Sequence, residues 1–352
     1  MKYSLLLLGI CLGCLFTACK PDFNLNAPYK DVPVVYGILN FQDSIHYVKI
    51  YKGFQPKGKG AVFIDVQKPD SIYYYHDVMV VLEEYDANDK RTPRPDISLN
   101  ITHDFPRDSG MFYYDKERII YYTTEMLDKD MCYNIKITNK INGNVTQGRT
   151  SLVGFFEIKN SGDYEISNRY SPYASIRFNA ASHAFDYEIH VNFLYFEVDK
   201  KTNQVLATGK IKKNITPRLG EQFEYSENGN YYYKTYARTF YDDIAAQLKP
   251  NSDIIRYTGT PSKPGICIEV EAWAAGESMF NFLLSNKPIS SFVQVNTKYT
   301  NLTSNDLVFG FFSSRFQCPT AYFGITPTSQ DSLVKGTKTG SLGFGYWYDY
   351  KP

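Results

Sequence analysis

Tryptophan is nearly absent from this 352-residue sequence: there are two, against 31 tyrosines and 24 phenylalanines. Histidine is scarce at five, which leaves little material for a histidine-rich metal centre. Neither a G-x-S-x-G nucleophile elbow nor an H-E-x-x-H zinc helix occurs, which excludes the usual serine-hydrolase and zinc-protease solutions. No sign of charge prevails, with 38 Lys and Arg against 37 Asp and Glu. A nucleic-acid partner needs a strong basic excess or patch, so none is expected. No apolar run after Cys19 approaches the ~20 residues that span a bilayer. Cys132, Cys267 and Cys318 are the only cysteines beyond Cys19. Three is an odd number, which excludes a closed disulfide framework. It leaves two readings for Cys267 and Cys318, a bonded pair or two buried thiols.

What the sequence does have begins at its amino end. Lys2 precedes an uncharged apolar run from Leu5 to Phe16, and Thr17-Ala18-Cys19 closes it before Lys20-Pro21-Asp22. That is the order of a secretory signal, and the run is too short to cross a membrane. Two small residues before a cysteine resemble a bacterial lipobox, although Phe16 stands where Leu is usual. The resemblance implies cleavage after Ala18, a diacylglycerol thioether on Cys19 and a palmitate-type acyl chain on its amine. Several acyl chains, at ~0.8 kcal/mol per buried CH₂, hold a protein on a membrane where one binds only marginally. Residues 1–18 are therefore expected to be a lipoprotein signal peptide, and residues 19–30, polar with two prolines, a tether.

The rest reads as strands and turns. Asp31 to Asn40, Ile45 to Tyr51, Asp77 to Tyr85, Asp115 to Thr124 and Cys132 to Thr138 are β-like, and Gly53 to Gly60 is a loop without Walker spacing. Asn142-Gly143 is a hairpin signal, with positive φ expected at both positions. Short strands and many turns predict an immunoglobulin-like β-sandwich over residues 31–153. Residues 154–352 then form a larger β-sandwich with two short helices, so the fold class is all-β. Its best strand carries Phe185, Tyr187, Ile189, Val191, Phe193 and Tyr195 on one face, and Asp186, Glu188, His190 and Asn192 on a solvated one. Val205 to Ile211 returns along it, and Asn228-Gly229 marks a further hairpin. Thr239-x-x-Asp242 predicts a capping box opening a helix with Phe240, Ile244 and Leu248 inward. Met279, Phe280, Leu283 and Leu284 make the apolar stripe of a second helix. On Ile266 to Trp273, the residues Cys267, Glu269, Glu271 and Trp273 share one face.

Three constellations carry chemistry. Glu269 and Glu271 lie two apart on a strand, ~7 Å between Cα atoms. Glycosidase carboxyls need roughly that separation, and Trp273 beside them suits a sugar ring. Alternating acids are also ordinary on a wet strand face, so catalysis by this pair is the alternative reading and no catalytic residue is assigned. Tyrosine runs put aromatics on both faces of their strands. Trp273, Tyr232 and Tyr74 are the candidates for ligand stacking. His183 and His190 are seven apart, which puts them on opposite faces of one continuous strand and disfavours a joint metal site, so neither a metal nor a cofactor is expected.

Pro33 to Tyr51 (PVVYGILNFQDSIHYVKIY), Ile268 to Phe282 (IEVEAWAAGESMFNF) and Tyr299 to Arg315 (YTNLTSNDLVFGFFSSR) occur in order behind the lipobox. Together they resemble a family of Bacteroidota cell-envelope lipoproteins classed as a domain of unknown function. The resemblance implies an outer-membrane lipoprotein, from loci of the nutrient-import kind, and no activity. Lys20 and Asp22 resemble that lineage's surface-export signal, whereas Pro21 and the missing second acid depart from it. Both faces of the outer membrane stay open. Asp43-Ser44-Ile45, Asp70-Ser71-Ile72 and Asp331-Ser332-Leu333 resemble the lineage's O-glycosylation motif, which makes Ser44, Ser71 and Ser332 candidate sites. The expected protein is non-enzymatic and membrane-bound through the lipid on Cys19. Its expected role is binding or scaffolding, with an outer-membrane protein or a glycan as partner.

Overall fold

The computed structural model describes residues 31–53, 72–104, 119–160, 162–167, 173–215, 224–225, 230–286 and 299–352. The expected signal peptide, Cys19 and the expected tether lie outside them, as do residues 54–60, Ser71, the first residues of the strand expected at 115–124 and the turn expected at Asn228-Gly229. Eight strands come from the first part: β1 (Pro33–Leu39), β2 (His46–Lys52), β3 (Val78–Tyr85), β4 (Ile97–Ser98), β5 (Asn100–Thr102), β6 (Ile120–Thr123), β7 (Cys132–Asn139) and β8 (Val145–Ser151). The later ones are β9 (Tyr173–Asn179), β10 (Asp186–Asp199), β11 (Val205–Ile215), β12 (Glu224–Tyr225), β13 (Asn230–Tyr236), β14 (Ile254–Thr260), β15 (Lys263–Pro264), β16 (Ile266–Ala275), β17 (Leu302–Ser304), β18 (Phe309–Gln317) and β19 (Ala321–Gly324). Three short helices accompany them among the described residues: α1 (Ala237–Gln247), α2 (Glu277–Ser285) and α3 (Pro327–Lys335). The protein is all-β in class, built as layered sheets.

The first core lies between the five-stranded sheet β17-β8-β7-β3-β4 and the strands β18, β1, β2, β6 and β5. Val35, Val48, Ile50, Leu82, Tyr133 and Ile135 are fully or nearly fully buried there. Each such side chain contributes about 1.5–3 kcal/mol by leaving water. The expected boundary at residue 153 falls where β8 ends, but the chain returns after it. Leu302, Val308 and Phe312 complete this first core. β18 then pairs with β1 in parallel, Val34 opposite Phe309 through Leu39 opposite Ser314. One large sheet, β15-β14-β10-β16-β18-β1-β2-β6-β5, therefore runs through both halves of the molecule.

The second core lies on one face of β10 and β16. Tyr187, Ile189, Val191 and Phe193 point into it, beside Ile268, Val270, Ala272 and Ala274 of the antiparallel partner. Ile176, Phe178 and Tyr233 of the three-stranded sheet β12-β13-β9 cover them, together with Phe240 and Ile244 of α1 and Leu333 of α3. Phe185, expected on this face, is instead 54% exposed just before β10 begins.

Several local expectations change. The β7–β8 loop runs over residues 140–144, and only Gly143, at φ +74°, has positive φ. The extra residues let Gly143 donate to the Asn139 carbonyl, so Asn142 stays in ordinary backbone space. The N-cap of α1 is Tyr236, without a side-chain cap, because Ala237 is drawn into the core. Thr239 sits one turn inside and donates to the Tyr236 carbonyl at 2.9 Å. A third helix, α3, adds to the two expected: the Thr326 side chain caps it, and Pro327 occupies its first turn. Cys267 and Cys318 are buried free thiols. Burial raises the pKa of both, that of Cys318 to about 11, so both are inert at neutral pH.

Candidate functional site

The antiparallel register of β10 and β16 sets Glu188 opposite Trp273, His190 opposite Glu271 and Asn192 opposite Glu269. All lie on the face turned away from the second core, because strand side chains alternate. Sequence analysis took this face of β10 as solvated. Its outer part is: Glu188 is exposed and meets the His190 ring nitrogen at 2.7 Å. Further along the strand, Asn192 is only 1% exposed.

The reason is a polar strip across three strands. The Asn192 amide donates to Glu271 at 2.9 Å and to Glu269 at 3.2 Å. Lys210 of β11 forms an ion pair with Glu269 and approaches Glu271 at 3.7 Å. Tyr322 of β19 donates to the other Glu269 oxygen at 3.4 Å. Desolvation acts to lower the Lys210 pKa, but the hydrogen bond to Glu269 and the two carboxylate charges outweigh it and push the pKa up. Both glutamates are thus acceptors in one network around one ammonium. No cluster of His, Cys, Asp and Glu suited to a metal ion occurs among the described residues.

Beside the strip opens a cleft of about 280 Å³. Trp273 forms one wall, with His190 edge-on to it at 4.8 Å between ring centroids. Met279 and Leu283 of α2 line the cleft as well, together with Glu188 and Arg315. Arg315 is exposed and makes no ion pair among the described residues. Helix α2 explains the apolar lining. Its apolar stripe has no buried residue, and Leu283 and Leu284 are 46% and 50% exposed. Sequence reasoning missed Met279 and Leu283 as site residues because a helical apolar stripe reads as core by default, and Arg315 because nothing in the spacing of β18 singles it out.

The three stacking candidates are not brought together. Trp273 lines the cleft. Tyr232 is half-buried on β13, in the separate three-stranded sheet. Tyr74 is corrected outright: it is 4% exposed, packs in the first core, and its hydroxyl donates to Asp31 at 2.5 Å. Of the candidate modification sites, Ser44 is exposed in the β1–β2 turn. Ser332 is half-buried within α3 and donates to the Thr328 carbonyl at 3.0 Å.

No family model matches the chain, and no curated protein matches it. Among solved structures, a crystal structure of CBD12 from CALX1.2 aligns at 11% identity, covering 83% of this chain and 100% of that one. Its TM-score is 0.16, too low to carry an argument about function.

Proposed function

We propose that the protein is a non-enzymatic binding component of the cell envelope. Cys19 and its lipid hold it on the outer membrane, where it works beside a nutrient-import complex, and the Trp273 cleft takes a glycan. The observation that carries this reading is the cleft itself, lined by one indole, two apolar side chains of a helix and the polar Glu188, His190 and Arg315. A sugar ring offers an apolar C–H face and a polar edge, and that pairing of apolar and polar lining suits both. The engagement of Glu269 and Glu271 supports binding over cleavage. An acid–base pair needs one carboxyl set apart from the other in a water-poor pocket. Here both share Asn192 and Lys210.

The test is affinity electrophoresis of the purified mature protein in gels containing xylan, laminarin, mannan or soluble starch, with product release assayed in parallel. Retardation by at least one polymer, lost in Trp273→Ala and without release, is the expected result. Release that disappears in Glu269→Gln or Glu271→Gln would establish a hydrolase instead. The anchor is tested separately: Cys19→Ala should leave the detergent phase or stay uncut. A variant still partitioning into detergent at its mature size would rule out lipidation there.

A further inference from the structure

The chain's two tryptophans both avoid its cores: Trp273 is half-buried in the cleft, and Trp347 is 40% exposed. Tryptophan is usually among the more buried residues, so an open indole calls for a physical account. Trp347 starts a short 3-10 turn, Trp347–Asp349. Its ring lies against Gly265, where a Cβ would come within 2.9 Å of two indole carbons and where φ is +85°. Backbone therefore seats one side of the indole and leaves the remainder to solvent. Tyr348, 60% exposed, stands edge-on to it at 5.7 Å. Tyr348 in turn stacks on Tyr346 at 5.2 Å with the rings 16° from parallel. Tyr346 is pinned to α3: its hydroxyl bonds Asp331, and the Lys335 ammonium sits 5.5 Å over its ring. Asp331 and Lys335 also pair with each other at 3.0 Å.

The result is an open aromatic surface held from both sides, with a neutralised acid–base pair at its edge. Asp331 and Lys335 cancel and Asp349 of the same turn adds one exposed acid, so the surface has no excess of cations to hold an anion and disfavours an acidic polymer. It does have flat apolar area for ring C–H groups and donors and acceptors for hydroxyls. Gly265, between β15 and β16, precedes Trp273 by eight residues, so at ~3.3 Å per residue the two positions lie at most roughly 26 Å apart.

We propose that Trp347 and Tyr348 form a second sugar-stacking site, which makes the protein bivalent for a neutral polysaccharide long enough to reach both. This rests on the glycan reading of the Trp273 cleft and goes beyond it by naming a second site and a polymeric ligand. Two linked weak contacts give a long chain an advantage over a short one without any new interaction.

Two tryptophans in separate sites make the test direct. Trp273→Phe leaves Trp347 as the only indole emitter, and Trp347→Phe leaves Trp273. Each variant is titrated with xylan, laminarin, mannan and soluble starch, and with short oligomers of each. The expected result is a saturable change in emission from both variants with the same polymer. Trp347→Ala and, independently, Tyr348→Ala should weaken retention of that polymer by roughly three- to tenfold, the share one aromatic contact carries. The short oligomer should show no such loss. A response from Trp273 with none from Trp347, and full retention by Tyr348→Ala, would overturn the second site while leaving the cleft intact. No response from either would overturn both. A Trp347 response to phosphatidylglycerol vesicles and to no polysaccharide would reassign the surface to membrane contact and overturn the proposal.

Discussion

His46 opens β2 at 2% exposure, with neither ring nitrogen in a formed hydrogen bond. Desolvation lowers its pKa below 6.5, and the Asp43 carboxylate and the Glu125 backbone oppose this only in part. A histidine whose folded pKa lies below its unfolded one contributes full stability above the unfolded value. That stability is lost as pH falls, because the unfolded chain takes up the proton first. Urea midpoints should therefore drop between about pH 7.5 and about pH 5.5 in the wild type and drop less in His46→Leu. Parallel declines would refute the assignment. On β10, Ile189 is 0% exposed while the neighbouring Glu188 carboxylate faces water. Ile189→Asp buries an unpaired charge and should cost several kcal/mol, whereas Glu188→Ala should cost under ~1 kcal/mol. Equal melting temperatures would contradict the assigned faces. Period two made these two residues legible in the sequence. Tyr73, Tyr74 and Tyr75 were not, since three tyrosines in a row have no alternation to read, and the structure buries the first two.

At the scale of elements, strands were more legible than their surroundings. The same Ser/Thr capping logic fails at Thr239 and holds at Thr326, because the core decides which residue opens each helix. Helix α2 was legible as a helix but not as the wall of a cleft. The strip across β10, β11 and β16 shows the same limit. Glu269 and Glu271 share a face by spacing alone, but their cation, Lys210, arrives from a strand about sixty residues earlier in the chain. Lys210→Met should leave the largely buried Glu269 without its cation and cost about 1–3 kcal/mol. Lys210→Met combined with Glu269→Gln should recover part of that loss. A double-mutant cycle in urea measures the coupling, and strict additivity would show that the pair is not coupled.

For the whole molecule, the decisive contact is the parallel pair of β1 and β18. Gly310 allows it: at φ +94°, it approaches so closely that a Cβ would collide with the Val35 carbonyl. Gly310→Ala should thus destabilise both cores at once, by about 1–3 kcal/mol or more, seen as one shifted transition. Loss of only one of two separate transitions would show that the halves fold independently. The sequence by itself determined the all-β class, the positions of most strands, the inward face of β10 and two of the three helices among the described residues. Those properties are local, set by side-chain alternation, turn residues and helical spacing within a dozen positions. The tertiary structure alone decided that residues 302–312 complete the first core and that Lys210 neutralises Glu269 and Glu271. It also decided that Trp273 and α2 line one cleft and that Trp347 rests on Gly265. All but the Trp273 cleft join segments far apart along the chain, and the cleft depends on the angle at which α2 leaves β16. Antiparallel neighbours can be joined by a short turn, whereas the parallel β1–β18 pair needs a long crossover. Here the crossover is residues 40–308, most of the chain, so no local pattern could encode it.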